Sequence, residues 1–229
     1  LTSVSFGNNV EIIGESAFYS CSGLTSIVLP KNLKTIKYNA FGRCENITSV
    51  DFFDKLEILG NSAFSDCGSI ESIVLPEGVK TIGNNAFDNC KGLTSIVIPK
   101  SVTDIGNGAF YGCWSLESID IPKGITEVKN STFSACNSIT SVVVPNGVTR
   151  IGDMAFSRCN SLTTIEIPSS VKSIGIWAFW CKNLSTINYK GTIEQWKEIT
   201  KDDEWLLTNK KDLVVHCDNG DLTLNEALS

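Results

Sequence analysis

The segment LTSIVIPKSVTDIGNGAFYGCWS, residues 93–115, is one copy of a pattern that fills most of the chain. Eight phenylalanines follow one another at intervals of 23 residues: Phe18, Phe41, Phe64, Phe87, Phe110, Phe133, Phe156 and Phe179. The cysteines keep the same interval until the last of the series: Cys21, Cys44, Cys67, Cys90, Cys113, Cys136, Cys159, and then Cys181 one residue early. So short a unit cannot bury an apolar face by itself, and stacked copies must share one core. The sequence therefore predicts a solenoid.

Each unit contains two short extended segments and a tight turn. The spacing of Leu93, Ile96 and Ile98 is that of the pattern L-x-x-L-x-L and predicts a strand. A proline ends this strand in most units, because proline cannot donate to a β ladder. A second short extended segment follows, with Val102 and Ile105 directed inward. The turn that closes the unit is expected to bury Ala109, Phe110 and Cys113.

The pattern divides the chain of 229 residues into two parts. Residues 1–183 contain eight units of about 23 residues and form the predicted repeat solenoid. Residues 184–229 begin as a final strand and then leave the pattern. Because every repeat array needs its end covered, we interpret this second part as a C-terminal cap. A docking surface is the alternative.

The residues of the tail support the cap interpretation. Ile193, Trp196 and Ile199 have the spacing of a short amphipathic helix. The turn sequence Asp218-Asn219-Gly220 lies between two apolar stretches and predicts a hairpin. The side chains expected to cover the last coil are those of Trp196, Trp205, Leu206 and Leu207.

The composition excludes several classes of protein. Lys and Arg number 19 against 25 Asp and Glu, so the net charge of −6 argues against a nucleic-acid-binding protein. Hydrophobic residues make up 42% and charged residues 19%, which is too apolar for a disordered chain. No apolar run approaches the roughly 18 residues of a membrane span. The chain has one histidine and lacks P-loop, G-x-S-x-G and H-E-x-x-H motifs, so we expect no enzyme and no cofactor.

The repeat consensus L-T-S-I-x-x-P-x-x-V-x-x-I-G-x-x-A-F-x-x-C resembles the BspA-like class of leucine-rich repeats, and the tail segment VVHCDNG at 214–220 resembles the end of such proteins. This resemblance implies a right-handed leucine-rich-repeat superhelix of α/β type, rich in short strands. It also implies a secreted or cell-surface protein that acts in adhesion or protein binding. The units lack the asparagine ladder of common leucine-rich repeats, so the ligand rules of those proteins are not carried over.

The chain begins inside a repeat strand, without a signal peptide or a capping element. An uncapped end of a solenoid exposes a strand edge and core side chains. We therefore expect Leu1 to follow a cut that removed upstream sequence. A natural start protected by dimerisation is the alternative.

The nine cysteines suggest a disulfide-rich protein by number, but their spacing favours a column of buried, reduced thiols. Bridges between stacked units would need parallel side chains to pair, which is poor disulfide geometry. Cys181 and Cys217 both belong to the end region and are the pair to check for a bridge. No C-x-x-C pair is present, so we expect no zinc or other metal site.

The outward positions of the first strand give the candidate binding residues. One column of these positions combines valines with acids, beside a column of Ser and Thr residues that includes Ser72, Ser95 and Ser118. Phe53 replaces the proline of its unit and is either a contact residue or a side chain packed on Phe52. The predicted partner-binding residues are Val28, Asp51, Phe53, Val74, Val97, Asp120, Val143 and Glu166. The alternative is that these columns only satisfy β propensity and cross-strand packing.

These columns predict an extracellular or cell-surface module that binds a protein or glycoprotein ligand, such as a host matrix protein or another surface protein. A structural spacer or surface-layer element without a ligand is the second hypothesis. A carbohydrate-degrading enzyme is a third and weaker one, because the acids of the column lie about 10–14 Å apart at the strand spacing. Glycosidases need carboxyl groups roughly 5 Å or 6.5–9.5 Å apart.

Overall fold

The structure, a computed structural model, describes residues 1–206 and 212–228. In chain order the strands are β1 (Ile12–Ile13), β2 (Ser26–Val28), β3 (Thr35–Ile36), β4 (Ser49–Asp51), β5 (Ile58–Leu59), β6 (Ser72–Val74), β7 (Thr81–Ile82), β8 (Ser95–Val97), β9 (Asp104–Ile105), β10 (Glu127–Val128), β11 (Ser141–Val143), β12 (Arg150–Ile151), β13 (Thr164–Pro168), β14 (Ser173–Ile174), β15 (Thr186–Lys190), β16 (Thr200–Lys201), β17 (Val214–Cys217) and β18 (Gly220–Thr223). The helices in the described residues are α1 (Ile193–Glu198) and α2 (Leu224–Leu228). The predicted repeat solenoid, rich in short strands, is confirmed.

The two extended segments of each unit form separate parallel sheets along the solenoid. The second segments give the sheets β1-β3-β5-β7-β9 and β10-β12-β14-β16. The first segments give β2-β4, β6-β8 and β11-β13-β15-β17-β18, in which only the pair β17-β18 is antiparallel. Ile12 pairs with Thr35 and Ser72 pairs with Ser95, so residues one repeat apart lie side by side. Equivalent positions therefore form columns, as the repeat predicts.

A continuous column of aromatic rings fills the core. Each phenylalanine from Phe18 to Phe179 stacks on the next with ring centroids 5.1–5.8 Å apart. Phe6 packs edge-on against the first ring, and Trp205 packs edge-on against the last at 6.0 Å. Offset stacking of aromatic rings adds to the stabilisation that burial alone provides. The core is thus one structure that runs through all the units.

The cysteines form a second column beside the rings. Seven thiols each donate to a phenylalanine carbonyl oxygen of the preceding unit, at Sγ–O distances of 2.9–3.2 Å. These donors are Cys44, Cys67, Cys90, Cys113, Cys136, Cys159 and Cys181. The column of reduced thiols is confirmed, and Cys181 and Cys217 do not form a disulfide.

The tight turn requires left-handed backbone at the residue before the buried alanine. Most units have Ser, Asn or Gly there, but Met154 and Trp177 occupy this position in the seventh and eighth units, each with φ of 53°. Left-handed backbone disfavours bulky side chains, because the Cβ approaches the following carbonyl oxygen. These two residues therefore hold local strain.

Replacing Met154 by asparagine is expected to raise the free energy of unfolding by about 0.5–1 kcal/mol, because asparagine tolerates left-handed backbone. Urea denaturation of the wild-type and variant chains measures the change. Met154→Ala is the matched control, since alanine keeps the strained Cβ and should give no gain. An equal gain from both variants would contradict this explanation.

The tail packs against the last coil, where Trp205 lies edge-on against Phe179. The helix α1 begins with a capping box in which Thr192 and Gln195 each bond the other's backbone N–H. The buried indole of Trp196 donates to the carbonyl oxygen of Ala227 at 3.2 Å and packs edge-on against Trp205. Trp205 and Leu206 are buried, whereas Leu207 lies outside the described residues.

Candidate functional site

The four valines of the predicted binding column project into solvent. They lie in the first strands, where an inward residue separates two outward ones. Their exposed fractions are 57% for Val28, 66% for Val74, 56% for Val97 and 60% for Val143. Exposure of this extent on neighbouring apolar side chains is a feature of interaction surfaces.

The strand register determines which candidate residues are neighbours. Val74 pairs directly with Val97, so two exposed valines lie side by side. Val28 pairs with Asp51, and Val143 pairs with Glu166. The strand face therefore presents an apolar pair at its centre and valine–acid pairs on either side.

The acids of the column differ in their surroundings. Asp51 and Asp120 are exposed. Glu166 is half-buried and forms an ion pair with Lys190, with an Nζ–Oε2 distance of 3.0 Å. A partly exposed pair of this kind contributes little to stability, so its main effect is to neutralise one negative charge of the face. Two acids thus remain exposed to a partner.

Phe53 takes over the backbone role of the proline that it replaces. Its carbonyl oxygen accepts a hydrogen bond from Leu56 N–H at 3.2 Å, as Pro30 does from Leu33 at 3.0 Å. Its side chain is half-buried. The ring of Phe52 packs edge-on against Phe64 with centroids 6.0 Å apart. Phe53 therefore lies at the end of its strand with part of its ring accessible.

The strand face is interrupted at the sixth unit, where a cleft of about 800 Å³ opens. Asp120, Val143 and Glu166 of the predicted column line it, together with apolar side chains such as Ile98 and Ile121. Lys100 and Lys123 also line this cleft and were not among the predicted residues. The cleft thus brings together three of the eight candidate residues and adds positive charge to them.

The buried thiols are not reactive groups. Burial raises the pKa of the Cys44 thiol from 9.0 to about 11, and it raises the pKa of the five thiols from Cys67 to Cys159 well above 9.0. A thiol that stays protonated is neither a nucleophile nor a good metal ligand. Within residues 1–206 and 212–228, no group of three or more His, Cys, Asp or Glu side chains could hold a metal ion.

The units do form an asparagine ladder, at the position after the glycine, although they were expected to lack the one typical of common leucine-rich repeats. The Oδ1 atom of Asn61 accepts from Asn84 N–H, and that of Asn84 accepts from Asn107 N–H, both at 2.8 Å. Asn107 and Asn130 continue the series, which ends at Asp153 N–H. The signal was the recurrence of asparagine every 23 residues after the glycine of the unit. This ladder joins the turns that follow the second strands of the third to seventh units.

Comparison with known proteins agrees with this architecture. The family model of the BspA type leucine-rich repeat region matches residues 1–117 and 103–200. Comparison with curated protein sequences gave no match. No helix in the described part of the chain has the length and apolar character needed to cross a membrane.

Three solved structures are similar to this chain. A leucine-rich repeat protein from Bacteroides ovatus is 26% identical with a TM-score of 0.72, and the match covers 88% of this chain and 58% of that protein. A leucine rich cell surface protein from Faecalibacterium prausnitzii is 26% identical with a TM-score of 0.58, covering 85% of this chain and 73% of that one. A T. pallidum leucine rich repeat protein is 28% identical with a TM-score of 0.57, covering 74% and 75%.

The chain thus spans less than two thirds of the Bacteroides ovatus protein. It shares with these bacterial proteins the stacked short strands described above. The family match extends over most of the chain, from the first repeat into the cap. This chain belongs to the BspA-type leucine-rich-repeat family.

Proposed function

We propose that the chain is a protein-binding module of a secreted or cell-surface protein, and that it binds its partner through the strand face. The observation that supports this proposal best is the exposed pair Val74 and Val97, held side by side on a rigid sheet. A repeat solenoid keeps such side chains at fixed spacings, so little conformational entropy is lost when a partner binds.

The flanking acids give the proposed face its specificity. Asp51 lies beside Val28, and the predicted partner surface is therefore apolar at its centre with polar or basic groups around it. This arrangement corresponds to the apolar core and polar rim of ordinary protein interfaces. Phe53 and Asp120 extend the face along the solenoid.

Replacing Val97 by lysine is expected to weaken ligand binding at least about tenfold, because a charge replaces a central apolar contact. Immobilised matrix proteins, mucins and glycans form the ligand panel, and titration of the chain against each gives a dissociation constant. The substitution should not disturb the fold, because this side chain is 56% exposed.

Tyr111→Lys is the matched control, since Tyr111 is exposed on the turn side of the same unit. It should change binding by less than about twofold if the strand face makes the contact. Equal binding by Val97→Lys and wild type would exclude this face. Absence of binding to every ligand would favour the structural spacer.

A further inference from the structure

The first strand of the sixth unit stands without β partners. β8 pairs with β6, and β11 pairs with β13, but residues 118–123 between them belong to no ladder. Just before this run, Glu117 N–H still donates to Thr94 O at 3.1 Å. Across the described residues, no backbone hydrogen bond joins 118–123 to the fifth or the seventh unit. The sheets of first strands are also separate between β4 and β6, but each of those strands keeps a partner on its other side, whereas 118–123 has none on either side among the described strands.

A single substitution in the repeat accounts for the separation of the sixth unit from the fifth. In most units a glycine follows the second strand, and its N–H donates to the preceding unit, as Gly106 does to Ile82 O at 2.8 Å. A Cβ added at Gly106 would lie 2.4 Å from Asn84 N, so the closed ladder has no room for a side chain there. The sixth unit has Lys129 at this position, and the equivalent bond to Ile105 is missing there.

The other lysine at this position supports the explanation. Lys37 in the second unit retains the bond to Ile13 O, but the N–O distance is 3.0 Å, longer than the 2.8 Å at Gly106. The first strand of the coil before Lys37 forms no ladder in the described residues, so that coil can shift to accommodate the side chain. The fifth unit, which precedes Lys129, is held to the fourth through both of its strands, β8 and β9. It cannot shift in the same way, so β9 and β10 stay apart instead. An ion pair between Lys129 and Asp104 spans the separated strands.

The resulting cleft has the features of a strand-binding groove. It exposes unpartnered backbone groups along an extended run, and only another extended backbone can satisfy them in ladder geometry. The core isoleucines Ile119 and Ile121 are 6% and 8% exposed there, and Ile98 is half-buried. Apolar side chains at alternate positions of an added strand would cover these residues.

The rim of the cleft adds a charge requirement. Lys100 and Lys123 each follow the proline that ends a first strand, and both line the cleft. Neither forms an ion pair within the described residues. A carboxylate at the corresponding end of a bound strand would meet both of them.

We propose that the cleft at residues 118–123 binds an extended segment of another polypeptide, apolar at alternate positions, with an acidic residue beside Lys100 and Lys123. This inference rests on the proposed protein-binding function and specifies the partner as a strand rather than a folded surface. The added strand would replace the ladder bonds that Lys129 prevents within the solenoid.

The test uses a fluorescent synthetic peptide, IESIVLPEG, which copies residues 70–78 and places a glutamate after the proline. Fluorescence anisotropy with the full chain should show saturable binding. Lys129→Gly should close the cleft and weaken binding at least about tenfold, whereas Lys37→Gly, the same change at the same repeat position, should alter it less than about twofold. Amide hydrogen exchange at 118–123 should be fast in the wild type and slow in Lys129→Gly.

Charge reversal provides a second test that leaves the backbone unchanged. The double variant Lys100→Glu and Lys123→Glu should lose the peptide and bind a peptide with lysine in place of that glutamate. Slow exchange at 118–123 in the wild type, no binding of the peptide, or equal binding by Lys129→Gly would each overturn the proposal. None of these results bears on the strand face, which the Val97→Lys titration tests separately.

Discussion

Raising the pH from 8 to 10.5 is expected to unfold the protein, because unfolding releases protons from the buried thiol column. Burial raises the pKa of Cys44 from 9.0 to about 11 and that of Cys67, Cys90, Cys113, Cys136 and Cys159 well above 9.0. The folded chain therefore keeps these protons at a pH where the unfolded chain has lost them. The stabilisation is fully present below pH 9 and falls as the pH rises through 9 towards the folded-state values.

The expected loss is comparable to the whole stability of a domain. Each thiol that stays protonated only when folded lowers the free energy of unfolding by about 1.4 kcal/mol per pH unit above its ordinary pKa. Five such thiols remove about 7 kcal/mol at pH 10, against a typical total of about 5–15 kcal/mol. The pKa of Lys201, lowered by burial, acts in the opposite direction, but it is one group against at least five.

Urea denaturation at pH 8, 9, 9.5 and 10 measures this dependence. Cys113→Ser keeps a donor for the Phe87 carbonyl oxygen and removes one ionisable group, so it should reduce the slope by about 1.4 kcal/mol per pH unit. Trp114→Ala changes the neighbouring exposed residue and should leave the slope unaltered. Constant stability up to pH 10 in the wild type would contradict the buried thiol column.

Truncating Phe110 to alanine is expected to lower the free energy of unfolding by about 3–5 kcal/mol. The ring is fully buried and stacks on Phe87 and Phe133, with centroids 5.6 Å away on each side. Removing it leaves a cavity and two rings without a partner. Because each unit is held by its neighbours, the defect should also uncouple the two halves of the solenoid.

Urea denaturation followed by circular dichroism measures this loss and its cooperativity. Phe6→Ala is the control at the end of the column, where the ring is only partly buried and contacts one neighbour, Phe18. It should cost less than half as much as Phe110→Ala. A loss below about 1 kcal/mol for Phe110→Ala would mean that the ring column is not the main core.

The period of the sequence was sufficient to predict the solenoid and the buried columns. These features depend on which residues recur every 23 positions, and the sequence displays that recurrence directly. The exposure of Val74 and Val97 also followed from strand alternation. The asparagine ladder was visible in the same way, but its role depends on hydrogen bonds between turns.

The cleft could not be predicted from residue types alone. The sequence shows Lys129 where most units have glycine, but the consequence depends on how closely the preceding coil approaches. The clearance at Gly106 shows that a Cβ does not fit, and the sequence does not contain that distance.

The most direct test of the proposed binding face is hydrogen exchange of the chain with and without a ligand identified by the panel. We expect protection to appear in the first strands, at residues 72–74, 95–97 and 141–143, and in the cleft at 118–123. The turns at residues 109–114 should exchange equally in both states. Protection confined to those turns would contradict the proposal that this protein binds through its strand face.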